Sequence, residues 1–171
     1  FDPAVLHYRF YESHPFNQNR LIYTNDLLFQ LGALKQEDLI APRHELGSAL
    51  LSVHTSEYVS LVQALSEDTP DNSAILKAVQ YGLGEGDTPY FSGMHDAALS
   101  IVAASVTAAD LVMSGKYRRA LHLGGGLHHA FNNKAAGFCI YNDASVAISH
   151  IREQYGARVL YIDTDVHHGD G

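Results

Sequence analysis

The chain has 171 residues, enough for one domain with a core, and 46% of them are hydrophobic against 18% charged. A formal net charge of −8 argues against a nucleic-acid partner or an anionic membrane surface, and no uninterrupted apolar run approaches the roughly 18 residues of a membrane helix. The single cysteine, Cys139, excludes an internal disulfide and fits a reducing cytoplasm.

In chain order, residues 18–35 carry apolar residues at helical spacing (Leu21, Leu27, Leu28, Leu31, Leu34), weakened at the end by Gly32. Ala41-Pro42-Arg43 breaks the pattern. Thr55 or Ser56 is placed to cap a helix to about Leu65, and Asp71 to cap another to about Tyr81. Tyr81–Gly93 holds four glycines and one proline, which predicts a loop. Ser92 then opens the longest predicted helix, about 93–114, rich in alanine and stopped by Gly115. Residues 119–123 read as a strand, 142–155 as a helix and 158–163 as a second strand. That order predicts a parallel pair joined by a right-handed crossover, with any site beyond the carboxyl ends of the strands.

Two clusters fall at those ends. The last nine residues read Asp163-Thr-Asp165-Val-His167-His168-Gly169-Asp170-Gly171. If the chain stays extended beyond Ile162, Asp163, Asp165 and His167 share a face. Imidazole with carboxylate suits zinc, iron or manganese better than calcium. A catalytic zinc usually takes three protein ligands, and this stretch supplies two good ones, Asp165 and His167. Upstream, Gly124-Gly125-Gly126 precedes the adjacent pair His128 and His129. Glycine there permits a sharp turn and close approach, and the triplet lacks the Gly-Lys-Ser/Thr ending of a phosphate loop. Two imidazoles beside a metal site suit acid–base work on water, and each needs a carboxylate behind it, for which Asp163 and Asp170 are available. Cys139, after apolar Phe138, reads as a buried structural thiol.

The segments GGGLHHA, GFCIYND and DTDVHHGDG, in that order, resemble the histone deacetylase superfamily of zinc amidohydrolases, most closely its bacterial acetoin-utilisation branch. HPFNQNRL (14–21), HTSEYV (54–59) and YGLGEGDTPYFSGM (81–94) extend the likeness over essentially the whole chain. The resemblance implies an α/β, three-layer arginase/deacetylase-like fold with a mainly parallel sheet, present here only in part. Residues 1–171 then form the N-terminal portion of a single catalytic domain trimmed at both ends, with the third zinc ligand and a catalytic tyrosine outside it.

By the same resemblance the activity is zinc-dependent hydrolysis of N-acetyl-lysine, or of another N-acetylated amine, to free amine and acetate. Asp165 and His167 hold the metal. His129, oriented by Asp170, is the general base, and His128, paired with Asp163, stabilises or shuttles a proton near the leaving amine. Asp87 grips the substrate backbone, Gly137 and Phe138 line the acyl tunnel, and Arg20 sits on an internal acetate channel. A potassium ion near Asp163, Asp165 and His167 is a further expectation. Unfinished sheet edges favour association, so an oligomer is compatible with this reading. Two alternatives stand beside it: a manganese ureohydrolase of the same fold, which bridges two metals with a D-x-H-x-D order rather than the D-x-D-x-H found here, and a catalytically inert fragment.

Overall fold

Alanine, valine and isoleucine at helical spacing make the helix Met94–Met113 the element around which the others pack. A computed structural model describes residues 3–171. We number the helices α1 (Asn19–Gln30), α2 (Ser56–Leu65), α3 (Asn72–Ala78), α4 (Met94–Met113) and α5 (Asp143–Tyr155). Short 3-10 turns sit at Pro3–His7, Gln36–Asp38, Leu50–Ser52 and Val79–Tyr81. By length and composition α4 would pass for a membrane span. Its apolarity is explained by packing: Ala97, Ala98, Ile101, Val102 and Ala103 are buried, and the helix touches α2, α5 and the turn Pro3–His7.

The caps largely follow the sequence. Thr55, Asp71 and Asn142 each accept from a backbone N–H three residues on, at Tyr58, Ala74 and Ser145. α1 ends earlier than the periodicity predicts, because Gly32 takes a left-handed φ of +66° and closes it. Ser92 does not open α4; its hydroxyl donates to Asp68. The start of α4 is satisfied from α2 instead, where the Ser66 hydroxyl accepts the His95 N–H at 2.8 Å and the Ser66 carbonyl accepts the Gly93 N–H at 2.8 Å.

The expected parallel pair of 119–123 and 158–163 is not formed. Among the described residues there is no strand; isolated antiparallel bridges join Phe131 to Lys134 and Ala136 to Cys139. No backbone hydrogen bond links 119–123 to 158–163. The physical reason is that a strand is not a local structure: its N–H and C=O groups require a second backbone about 4.8 Å away. No described segment lies alongside either run, and Leu121, Leu160 and Ile162 are left 78%, 82% and 71% exposed. The mainly parallel sheet is therefore absent among the described residues.

The core runs from α4 through Tyr58, Leu65, Ile140, Tyr141 and Val146 to Tyr8. Two buried tyrosines stitch the 138–141 segment into it. The Tyr58 hydroxyl donates to the Ile140 carbonyl at 2.8 Å, and that of Tyr8 donates to the Phe138 carbonyl at 2.6 Å while accepting the Ile140 N–H at 3.0 Å. Burial pushes both phenols well above their ordinary range, so they remain neutral donors. This ties the turn at 137–138, and the loop before it, to a rigid base.

Candidate active site

The tail 163–171 lies against the loop 126–130. Gly171 N–H donates to the His128 carbonyl at 3.0 Å, and a Cβ at Gly171 would collide with the backbone carbonyls of Ala130 and His128. A Cβ at Gly169 would sit 3.1 Å from Asp163 and 3.4 Å from the His128 ring. Glycine at these two positions is what lets the backbone approach so closely.

Two His–Asp pairs result. His128 Nδ1 meets Asp163 Oδ2 at 2.7 Å, and His129 Nδ1 meets Asp170 Oδ1 at 2.7 Å. The two rings are neighbours, 4.2 Å between centroids. Asp163 also accepts from the Asp165 N–H and the Tyr161 hydroxyl, each at 3.0 Å. Those donors, the Asp165 N–H foremost and then His128, hold the Asp163 carboxyl down at about 2. The His129 contact likewise lowers Asp170. Both aspartates are thus ionised at neutral pH and accept only. Nδ1 of each histidine must then carry the proton, which leaves each Nε2 as the lone-pair nitrogen of the neutral ring.

Asp165 and His167 form the third pair, their Oδ1 and Nδ1 atoms 2.8 Å apart and their side chains 51% and 70% exposed. The His167 ring lies 6.0 Å from that of His129. The His167 N–H and ring lower the Asp165 carboxyl, so it is an anion. As a donor set this fits part of a zinc site: one carboxylate oxygen and one imidazole nitrogen already face each other, and these two side chains would hold the metal once the imidazole nitrogen gives up its proton. Among the described residues no group of three His, Cys, Asp or Glu side chains gathers to complete it. The Asp163 oxygens, expected to help hold potassium, accept from His128, Tyr161 and the Asp165 N–H.

The remaining predicted site residues gather around a second feature. Ala136 and Cys139 exchange backbone hydrogen bonds of 3.2 and 2.8 Å across Gly137 and Phe138, whose φ values are +52° and +70°. Both central residues are left-handed, as a type I′ turn requires. A phenylalanine in that region is strained, and strain of this kind clusters at functional sites. The turn is held by Tyr8 on the Phe138 carbonyl and by the Thr88 hydroxyl, which accepts the Phe138 N–H at 2.9 Å. Thr88 in turn donates to Asp87 at 3.0 Å, so exposed Asp87 is one hydroxyl away from the turn. His14 closes the circuit, its Nδ1 accepting the Phe16 N–H and its Nε2 donating to the Asp87 carbonyl at 3.1 Å. Its ring sits 4.8 Å from that of Phe138.

Arg20 packs against the segment that His14 opens. Its guanidinium stacks over Phe16, 4.5 Å from the centroid, and partial burial lowers it from its ordinary value. Burial pushes the Cys139 thiol up to about 12, which makes it unreactive. His14, Thr88 and Tyr8 carried no sequence expectation. Their signal was present, since His14 opens HPFNQNRL and Thr88 follows Asp87 in the glycine-rich loop, but their roles arise from contacts 50 to 130 positions apart in the chain.

The histone deacetylase domain matches residues 14–171. The acetoin utilization protein AcuC of Bacillus subtilis (strain 168) is 48% identical over the whole chain, that of Staphylococcus aureus (strain Mu50) 42%, and that of Staphylococcus xylosus 44% over 167 residues. The chain spans 43% of the length of each of these relatives. Nearly the full length of the chain falls within one domain match that includes both clusters, and it therefore belongs to the histone deacetylase family.

Proposed function

We propose that the intact protein is a zinc-dependent deacetylase that hydrolyses N-acetyl-lysine, or another N-acetylated amine, to the free amine and acetate. The observation that carries this is the side-by-side placement of His128–Asp163 and His129–Asp170, each at 2.7 Å, next to the facing pair Asp165 and His167. Asp165 and His167 supply two metal ligands, and the activity is assigned to the intact protein because a third is needed. Zinc bound there supplies a Lewis acid for the acetyl carbonyl and makes water more acidic.

The chain's own residues do the rest. His129 presents Nε2 and takes the proton from the attacking water, while Asp170 holds its tautomer and stabilises the cation that forms. His128, backed by Asp163, keeps its Nε2 near the leaving amine and stabilises the developing charge or passes a proton to it. Phe138 presents its ring beside the acyl chain, and Asp87 accepts from the substrate backbone at the rim. The match to the deacetylase domain supports this reading over the ureohydrolase one.

The test uses the intact protein, with zinc measured by elemental analysis and acetate release measured on an acetyl-lysine peptide. Asp165→Ala and His167→Ala should each lose most of the zinc and the activity. His129→Ala should keep the zinc and lose about 10²- to 10⁴-fold in turnover, the usual range for an acid–base group. Stoichiometric zinc in both ligand variants, or loss of zinc in His129→Ala, would overturn the assignment.

A further inference from the structure

We infer that Asp143 is a positioning residue for His128 and His129, acting through the backbone N–H groups of Gly126 and Leu127. This rests on the role proposed above for the two histidines. Asp143 opens α5 and is 2% exposed. Its carboxylate accepts the Gly126 N–H at 3.0 and 3.1 Å, the Leu127 N–H at 2.8 Å and the Ser105 hydroxyl at 2.5 Å. A carboxylate at a helix N-terminus is favoured by the aligned peptide dipoles, and hydrogen bonds to a charged acceptor are stronger than neutral ones.

The network extends one residue further. A serine hydroxyl has a single proton, and that of Ser105 goes to Asp143. The 2.9 Å contact between Ser105 and His122 Nδ1 must then be filled by a proton on His122. Burial lowers His122 and keeps it neutral, so it is the Nδ1–H tautomer that donates. His122 thus donates to Ser105 and Ser105 to Asp143, and the loop N–H groups donate to the same carboxylate, so the hydrogen bonds converge on Asp143.

The triple glycine fits this network. A Cβ at Gly125 would run into Asp143 Oδ2 and lie 2.8 Å from His122 Nδ1 and 3.1 Å from the Ser105 hydroxyl. Gly126 has φ +88°, which side-chain-bearing residues rarely adopt. The next residues are buried Leu127 and then His128, whose N–H bonds back to the Gly126 carbonyl at 2.9 Å. The rings of His128 and His129 are oriented from the tail by Asp163 and Asp170. Their backbone is set from the other side by Asp143.

The decisive experiment compares wild type, Asp143→Asn and Ser105→Ala in the intact zinc-loaded protein. The readings are kcat and KM on an acetyl-lysine peptide, zinc content, hydrogen exchange over 124–129, and the ring resonances of ¹⁵N-labelled histidine. The side-chain amide brought in by Asp143→Asn would turn a donor toward one of the two backbone N–H groups and free the loop. Turnover should fall about 10- to 100-fold, as a displacement near 1 Å does, with KM within about two-fold, the split expected when only the transition state is affected. Zinc content should hold, exchange over 124–129 should rise at least about ten-fold, corresponding to lost protection of the opened amides, and the two histidine resonances should shift. Ser105→Ala should move each reading the same way by less. It decides the matter by the same readings if Asp143→Asn does not fold.

Unaltered exchange and resonances in a folded variant overturn the inference, as does faster exchange with unaltered kcat in an active enzyme. If wild type releases no acetate, the deacetylase reading falls. Exchange and resonances still decide the positioning: shifted values support it and unshifted values overturn it.

Discussion

Replacing Gly137 by alanine moves His129 without altering any titrating group. Gly137 has φ +52°, and a Cβ there would overlap His129 Cδ2 and lie 2.6 Å from its Cγ and 2.9 Å from its Cβ. Ordinary carbon contacts are about 3.5–4.0 Å, so the ring or the turn must give by roughly 1 Å. The turn resists, because Phe138 is pinned by Tyr8 and Thr88. The ring is held at its rim by one 2.7 Å bond to Asp170, and that bond is the part that yields. The left-handed backbone costs an alanine about 1–2 kcal/mol in addition. We expect kcat for acetyl-lysine peptide to fall about 10²-fold, the usual result of a 1 Å misplacement. Zinc should be retained, since the new methyl group meets His129 and neither Asp165 nor His167. The measurements are steady-state acetate release, thermal melting and zinc content of the intact protein. A lowered melting temperature with unchanged kcat would refute the reasoning, because it would mean that the His129 ring can move without consequence for the reaction.

Stability should also depend on His54. The ring is 1% exposed, accepts the Asn142 N–H on Nε2, and is held by burial at about 4 against 6.5 for the free side chain. Between those values the unfolded chain binds a proton that the folded chain does not, so the contribution is complete above about pH 6.5 and is lost as pH falls toward 4, amounting to roughly 3 kcal/mol. His54→Gln, which can still accept from Asn142, should flatten the pH dependence of the melting temperature over that window; an unchanged slope would count against it. Thr88→Val should uncouple Asp87 from the Phe138 turn and raise KM for peptides more than for a small acetylated amine, whereas equal effects on both substrates would make Thr88 a packing residue only. Asp87→Ala should do the same to peptide KM with little change in melting temperature, and a large thermal loss with unaltered kinetics would make it a turn residue.

The helices and the chemistry of the site were legible in the chain itself. Thr55, Asp71 and Asn142 cap where a short polar side chain precedes an apolar period, because capping is a contact over three residues. The adjacent imidazoles called for a carboxylate behind each, the family resemblance implied which goes with which, and the structure brings His128 to Asp163 and His129 to Asp170. Family membership followed from the same ordered segments and implies the arginase/deacetylase fold.

What the sequence by itself determined is therefore local: where the helices lie and how three of them are capped, which residues are chemically equipped, and which family they belong to. The tertiary structure alone decided the rest. Residues 119–123 and 158–163 have strand composition but no ladder, because pairing needs a neighbouring backbone that composition does not supply. Gly137, expected from the resemblance to line a tunnel, abuts the His129 ring, and Phe138 carries a left-handed φ. Asp143 carried no expectation beyond its place in GFCIYND, yet its carboxylate is the meeting point of α4, α5 and the loop that carries His128 and His129. These contacts join positions beyond the reach of local periodicity, and only folding brings them within the few ångströms over which hydrogen bonds and van der Waals repulsion act.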